Sequence, residues 1–143
     1  MNIRRNVRAV LSDGDHLLFL RRRWPGGSAY CTTVGGGVAD DADLEAALRR
    51  EVLEETGATI GPLIPLLTET EPGTRLTLVR HYFHADVLHL DPARRGGPEL
   101  DAPDTGDFTL IRVPRTPEAV RALALDSPAL TDLLCEHLQP RPT

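Results

Sequence analysis

The sequence predicts a mixed α/β domain with a strand-rich body and few helices. Short segments with alternating apolar residues recur through most of the chain, a pattern typical of strands. One central segment instead repeats its apolar residues every four positions, which is typical of a helix. The composition is 41% hydrophobic and 26% charged, an ordinary balance for a globular protein. We therefore expect one domain over residues 1–143, large enough to fold without a disulfide or metal staple.

The N-terminal third is predicted to consist of strands and turns. Residues 3–12 and 16–21 are predicted strands, and the intervening Ser-Asp-Gly-Asp run has turn chemistry. Residues 25–28, Pro-Gly-Gly-Ser, predict a loop. Residues 31–34 predict a short extended piece. It leads into glycines 35–37, which permit a tight turn or a close backbone approach.

The clearest helix is predicted over residues 43–56. Its apolar face repeats every four residues, at Leu44, Leu48 and Val52. Asp43 is a suitable N-cap, because its carboxylate can accept hydrogen bonds from the unpaired amides of the first turn. Gly57 is a suitable C-terminal stop, because glycine adopts the left-handed conformation at no steric cost.

The second half of the chain is predicted to return to strands and then to end in helices. The predicted strands are residues 60–69, 76–88 and 108–113. Residues 91–107 are rich in Pro, Gly and Asp and predict a loop. The predicted terminal helices are residues 116–124 and 127–138.

Charge and cysteine usage exclude several protein classes. The chain has 16 basic and 21 acidic residues, a net charge of −5, so we expect no binding to polymeric nucleic acid. No apolar run approaches the ~20 residues that a membrane-spanning helix needs, so we expect no membrane partner. Cys31 and Cys135 have no metal-ligand spacing and form no disulfide framework. With no visible export signal, they favour a reducing cytoplasm.

The predicted central helix carries an unusual group of acids. Glu51, Glu54 and Glu55 lie at positions i, i+3 and i+4, so their carboxylates project from one face. The three negative charges repel one another, and negative charge late in a helix also interacts unfavourably with the macrodipole. A cation such as Mg²⁺ would neutralise them. Arg50 is four residues before Glu54 and within reach of its carboxylate. The alternative interpretation is a solvated acidic surface.

Together with the preceding glycines, these residues resemble the signature of the Nudix (MutT-like) hydrolase family. That signature is G-x5-E-x7-R-E-U-x-E-E-x-G-U, where U is bulky and apolar. The matching positions are Gly36, Arg50, Glu51, Val52, Glu54, Glu55 and Gly57. Two positions depart from it, because Ala42 stands where the first glutamate belongs and Ala58 is smaller than usual.

The resemblance implies an α/β/α sandwich with a mixed, curved sheet. It also implies Mg²⁺-dependent hydrolysis, with Mn²⁺ as an alternative, of a nucleoside diphosphate linked to another moiety. Nucleoside triphosphates, ADP-ribose and nucleotide sugars are the candidate substrates. By the same resemblance, Glu51, Glu54, Glu55 and the Gly36 carbonyl would hold the metal, and Arg50 would assist.

The resemblance leaves the general base open. In some relatives it is a signature glutamate, and in others it is a carboxylate from a later loop. Asp107 is our first choice for such a loop carboxylate, because it precedes an aromatic residue as in many relatives. Glu99 and Asp104 are its rivals. For each of them, an ordinary solvating role remains the alternative.

Substrate contacts are predicted near the end of the second strand. In an extended segment Arg21 and Arg23 share a face, and either could grip a phosphate. Charges that protect a sheet edge are the alternative. Trp24 and Tyr30 flank the following loop, where an aromatic face could stack on a base. Ordinary packing is the alternative for both.

Two other functions stay open at this point. A non-catalytic nucleotide-binding module would use the same fold without turnover. An isomerase of prenyl diphosphates ranks last, because such relatives are usually longer and use a cysteine in the site. Many relatives are dimers, so a homodimer is also left open.

Overall fold

The computed structural model describes residues 2–23, 26–39, 42–94 and 107–138. Within these ranges the chain forms eight strands, three α-helices and one 3-10 turn. The strands are β1 (Asn2–Asp13), β2 (His16–Arg23), β3 (Ala29–Thr32), β4 (Val34–Val38), β5 (Ala58–Ile60), β6 (Ile64–Pro72), β7 (Leu76–Leu90) and β8 (Asp107–Pro114). The helices are α1 (Leu44–Thr56), α2 (Pro117–Ala122) and α3 (Pro128–His137), and the 3-10 turn is Pro92–Arg94.

The strands form a mixed sheet, as predicted. Its main order is β3-β2-β1-β7-β5, with β4 added to β1, β6 to β7 and β8 to β2. The long pairing of β1 with β7 is parallel, and the other pairings are antiparallel. The predicted α/β class is confirmed.

Helices cover both faces of the sheet, because β1 and β2 are apolar on both sides. Val7 and Leu18 belong to one core cluster, which also contains the apolar face of α1. Val10 and Phe19 belong to the second cluster, together with residues of α2 and α3. Successive strand residues point to opposite faces, so two adjacent strands support both helical layers.

Helix α1 begins and ends as the sequence predicts. The side chain of Asp43 accepts hydrogen bonds from the amides of Glu45 and Ala46. Gly57 has φ +80° and donates its amide to Leu53 O at 2.8 Å. A Cβ on Gly57 would lie 1.9 Å from Asp91 O, so both conformation and space require glycine there.

The glycine run forms part of strand β4 and not a tight turn, the other conformation that the sequence left open. Gly35, Gly36 and Gly37 pair in register with Arg8, Val7 and Asn6 of β1. A Cβ on Gly35 would lie 2.0 Å from Val7 O, and this residue has φ +148°. Glycine is therefore required at position 35, because the backbone of β1 lies too close for a side chain.

The predicted strand over residues 60–69 is in fact two strands, β5 and β6. They are separated by residues 61–63. The amide of Gly61 bonds to Asp86 O at 2.9 Å, and Pro62 has no amide to continue a ladder. Within the described ranges, α1 to α3 are too short or too polar to cross a bilayer.

Candidate active site

Helix α1 lies against strand β4, and this packing brings two parts of the signature together. A Cβ built on Gly36 would lie 3.0 Å from both the carboxyl carbon and Oε2 of Glu51. The Glu51 carboxylate therefore lies directly over the Gly36 backbone, and its side chain is 12% exposed. A larger residue at position 36 would push this carboxylate away from the strand.

Glu55 is a buried carboxylate with two opposing partners. The residue is only 2% exposed. Its Oε1 accepts the Gly35 amide at 2.7 Å, and its Oε2 accepts from Arg22 Nη2 at 3.2 Å. Burial of an ionised carboxylate is costly unless it is paired and hydrogen-bonded, and both conditions are met here. Glu55 thus ties α1 to β4 and to β2.

Arg22 is a site residue that the sequence analysis missed. It lies on the face of β2 that also carries Leu18 and Leu20, which is the face covered by α1. Its guanidinium is 5.1 Å from the centroid of the Phe108 ring, and Phe108 is its register partner on β8. The parity of residues 18, 20 and 22 is the sequence signal that would have identified it.

Arg21 and Arg23 share a face, as predicted, but it is the face opposite to α1. Both are exposed, and they alternate with Arg22 along β2. The prediction that one of them grips a phosphate stays a prediction, and strand alternation places both away from the signature helix. Arg22 lies beside that helix instead.

The predicted aromatic residues have different outcomes. Tyr30 pairs in register with Arg22, so it lies on the face that carries α1, and it is 39% exposed. Trp24 lies outside the described residues. Tyr30 is thus available beside the signature helix for contact with a ligand.

Arg50 contacts Glu54, the glutamate that its spacing predicted, and also Glu51. Its Nη2 is 3.4 Å from Glu51 Oε1, and its Nε is 3.9 Å from Glu54 Oε1. The Arg50 side chain is 60% exposed, and that of Glu54 is 34% exposed. The guanidinium therefore lies beside both the Glu51 carboxylate, which is packed against β4, and the more exposed Glu54 carboxylate.

The first glutamate of the family signature has no direct replacement among the described residues. Ala42 is exposed, and its amide bonds to Ala39 O at 3.0 Å, which forms the turn before α1. Of its acidic neighbours, Asp43 is engaged as the N-cap. Asp40 and Asp41 lie outside the described residues.

The carboxylates of α1 fit a divalent cation in their donor chemistry. Three carboxylates along one side of α1 offer hard oxygen donors, and the Glu51 carboxylate lies against the backbone of Gly36, whose carbonyl is a donor of the same kind. In the described part of the chain, however, no three acidic, imidazole or thiol side chains converge into a metal cluster. Glu55 is drawn to Arg22 and Gly35, while Glu54 remains on the open side of the helix.

For the predicted general base, Asp107, only the backbone is described. Asp107 is the first residue of β8, and its backbone pairs with that of Arg23. Its side chain is not among the described ones. Glu99 and Asp104 lie outside the described residues altogether.

Comparison of the sequence with models of known protein families identifies the family of this chain. The model of the NUDIX domain matches residues 2–121. The chain belongs to the NUDIX family. The resemblance drawn from the sequence is confirmed, and with it the enzyme class, a hydrolase of phosphorus-containing acid anhydrides.

Solved NUDIX structures share the fold at low sequence identity. A NUDIX hydrolase from Nitrosomonas europaea is 22% identical, with a TM-score of 0.67, covering 95% of this chain and 87% of its own. A structure described as an ADP compounds hydrolase is 21% identical, with a TM-score of 0.70, covering 94% and 72%. The Bacillus subtilis pyrophosphohydrolase BsRppH is 20% identical, with a TM-score of 0.64, covering 90% and 77%. No curated protein matches this chain significantly.

Proposed function

We propose that this NUDIX protein is a divalent-metal-dependent pyrophosphohydrolase that cleaves a nucleoside diphosphate linked to another moiety. The observation that carries the proposal is the placement of Glu51 over Gly36, with Arg50 beside it. Two structures of the same fold are described as an ADP compounds hydrolase and a pyrophosphohydrolase, which supports this class of substrate.

The metal would be held by Glu51, Glu54, Glu55 and the carbonyl of Gly36. These are hard oxygen donors, which suit Mg²⁺ and also Mn²⁺. When bound, the cation would neutralise charge on the pyrophosphate and lower the pKa of a water molecule.

The surrounding arginines keep the carboxylates in place. Arg50 lies against Glu51 and Glu54, and Arg22 holds one oxygen of Glu55. A carboxylate has about four lone-pair positions, so hydrogen bonding and metal coordination by Glu55 are compatible. Holding these groups before substrate arrives reduces the reorganisation that catalysis requires.

Water activation is assigned to a carboxylate. A signature glutamate, Glu54 or Glu51, is one choice, and Asp107 remains the choice from outside α1. Because Glu54 is the most exposed of the signature glutamates that contact Arg50, it is the one most accessible to an attacking water.

Substrate contacts are proposed on both sides of the end of β2. Tyr30 is suited to stack on a base from the face of α1. Trp24, Arg21 and Arg23 remain proposed contacts for a substrate that extends past this edge. The small nucleotide substrate, the cytoplasmic location and a homodimer also stay predictions.

A coupled phosphate-release assay, in which added pyrophosphatase and phosphatase free phosphate from the hydrolysis products, separates this enzyme from a non-catalytic binding module. The purified chain would be incubated with Mg²⁺ and a panel of nucleoside triphosphates, ADP-ribose and nucleotide sugars. We expect turnover by the wild type and a loss of at least about a hundredfold in Glu54→Gln. Glu45→Gln is the matched control, because Glu45 lies on the same helix and pairs with Arg49 instead. Nucleotide binding without turnover in the wild type would favour the non-catalytic module.

A further inference from the structure

A pocket lies on the face of the sheet opposite to α1. It is a cavity of about 310 Å³ between the sheet and the C-terminal part of α3. Its apolar walls are Val10, Leu17, Ile64, Leu66, Leu134 and Leu138. Val10, Leu17 and Leu134 belong to the core cluster that α2 and α3 complete, so the sheet separates this pocket from the signature helix.

The pocket contains one satisfied polar pair. Ser12 Oγ and His84 Nε2 are 2.7 Å apart and share a hydrogen bond. Ser12 is only 4% exposed, and the two residues lie on neighbouring strands that pair in parallel. The polar atoms of this wall are thus partnered, and the rest of the interior is apolar.

The rim of the pocket carries the permanent positive charge of Arg115. Arg115 and His137 line this rim, and both also line an adjoining hollow of about 350 Å³ with Thr116 and Asp15. In the described part of the chain the Arg115 guanidinium has no hydrogen-bond or ion-pair partner. A cation at the edge of an apolar cavity fits a ligand with an apolar body and an anionic head.

We propose that this pocket binds a small amphipathic carboxylate, with its hydrocarbon chain inside and its carboxylate at Arg115 and His137. The size follows from the volume, because about 150 Å³ suffices for a benzene-sized group. A cavity of about 310 Å³ therefore accommodates an aliphatic chain of about six to eight carbons.

Nearby acids favour a singly charged head group. Asp15 lines the adjoining hollow, and Asp86 acts electrostatically on His84. These two carboxylates would repel a doubly charged phosphate monoester more strongly than a carboxylate. The planar Arg115 fork also matches the two oxygens of a carboxylate.

Calorimetric titration of the full chain tests the assignment. The probes share one alkyl chain and differ only in the head group: octanoate, octanol, octylammonium and octyl phosphate. We expect octanoate to bind at least tenfold more tightly than octylammonium, and more tightly than octanol or octyl phosphate. Arg115→Ala should weaken octanoate binding at least fivefold.

Two further variants keep the test decisive. Leu138→Trp fills the cavity and should abolish octanoate binding. Arg121→Ala is the control, because Arg121 is an exposed arginine of α2 that pairs with Asp132 away from the pocket. Undetectable octanoate binding, equal affinity for octanoate and octylammonium, tighter octyl phosphate binding, or wild-type affinity in Arg115→Ala would each overturn the proposal.

Discussion

The guanidinium of Arg22 lies 3.2 Å from the carboxylate of Glu55, although 33 positions separate the two residues in the sequence. Their side chains are 15% and 3% exposed, so the ion pair is almost fully removed from solvent. It joins the end of β2 to the last turn of α1. The signature helix is therefore fastened to the sheet by a residue outside the signature.

Replacing Arg22 leaves a buried carboxylate with an incomplete set of partners. We expect Arg22→Gln to lower the free energy of unfolding by about 3 kcal/mol, because breaking a buried pair strands its remaining charge. Arg22→Lys should recover part of this loss. Arg21→Gln is the control, since Arg21 is exposed on the other face, and it should change the value by less than about 0.5 kcal/mol. Urea unfolding curves measure all three. Equal losses in Arg22→Gln and Arg21→Gln would contradict this role.

The space over Gly36 should matter more to catalysis than to folding. In Gly36→Ala the new Cβ would lie 3.0 Å from the Glu51 carboxylate and displace it. We expect kcat to fall by about tenfold or more, because small displacements at a reacting centre are costly. In Gly37→Ala the nearest atom would be Asn6 Oδ1 at 3.5 Å, an ordinary contact, so kcat should stay within about threefold. Similar kcat values for both variants would argue against a functional position for Glu51.

Two glycines with positive φ should respond differently to alanine. Gly14 has φ +60° and nothing within 4 Å of its added Cβ, whereas Gly57 has φ +80° and meets Asp91 O at 1.9 Å. We expect Gly14→Ala to cost about 1 kcal/mol from conformation alone. Gly57→Ala should cost at least about 3 kcal/mol, because crowding against backbone is added. Denaturant unfolding of both variants checks this, and equal costs would remove the role assigned to crowding.

Two histidines should make stability depend on pH. Burial lowers the pKa of His81, with a further contribution from the Arg5 charge, and burial also lowers the pKa of His84. The unfolded chain therefore binds more protons than the native protein as pH falls below about 6.5. Stability is fully present above this value and is lost as the pH falls toward the lowered pKa values.

Thermal unfolding at pH values from about 7.5 to 5 measures this loss. The double variant His81→Gln, His84→Gln should show a smaller fall in Tm over that interval than the wild type. An unchanged fall would mean that other groups control the acid response.

Local patterns predicted the elements of this fold better than their boundaries. The helix of residues 43–56 was recognisable because cap, apolar face and C-terminal glycine agreed on one structure. The sequence left the glycines of β4 open between a tight turn and a close backbone approach, because the run is the same in both cases. Only the pairing of these glycines with β1, a strand distant from them in the sequence, decides between these outcomes.

The site was predictable where its residues share one helix. Arg50 and Glu54 contact as their i,i+4 spacing implies. Arg22 was not selected, because its partner Glu55 is contributed by another element and three adjacent arginines look alike in sequence. Strand register chooses among them by placing Arg22 opposite Phe108 on the face of α1.

The central claim is that the carboxylates of α1 hold a divalent cation for pyrophosphate hydrolysis. The most direct test is calorimetric titration of Mg²⁺ and Mn²⁺ into the wild type and Glu54→Gln, with a non-hydrolysable nucleotide present. We predict cation uptake by the wild type and affinity at least about tenfold weaker in the variant. The absence of Mg²⁺ and Mn²⁺ uptake by the wild type, or equal affinity in Glu54→Gln, would contradict it.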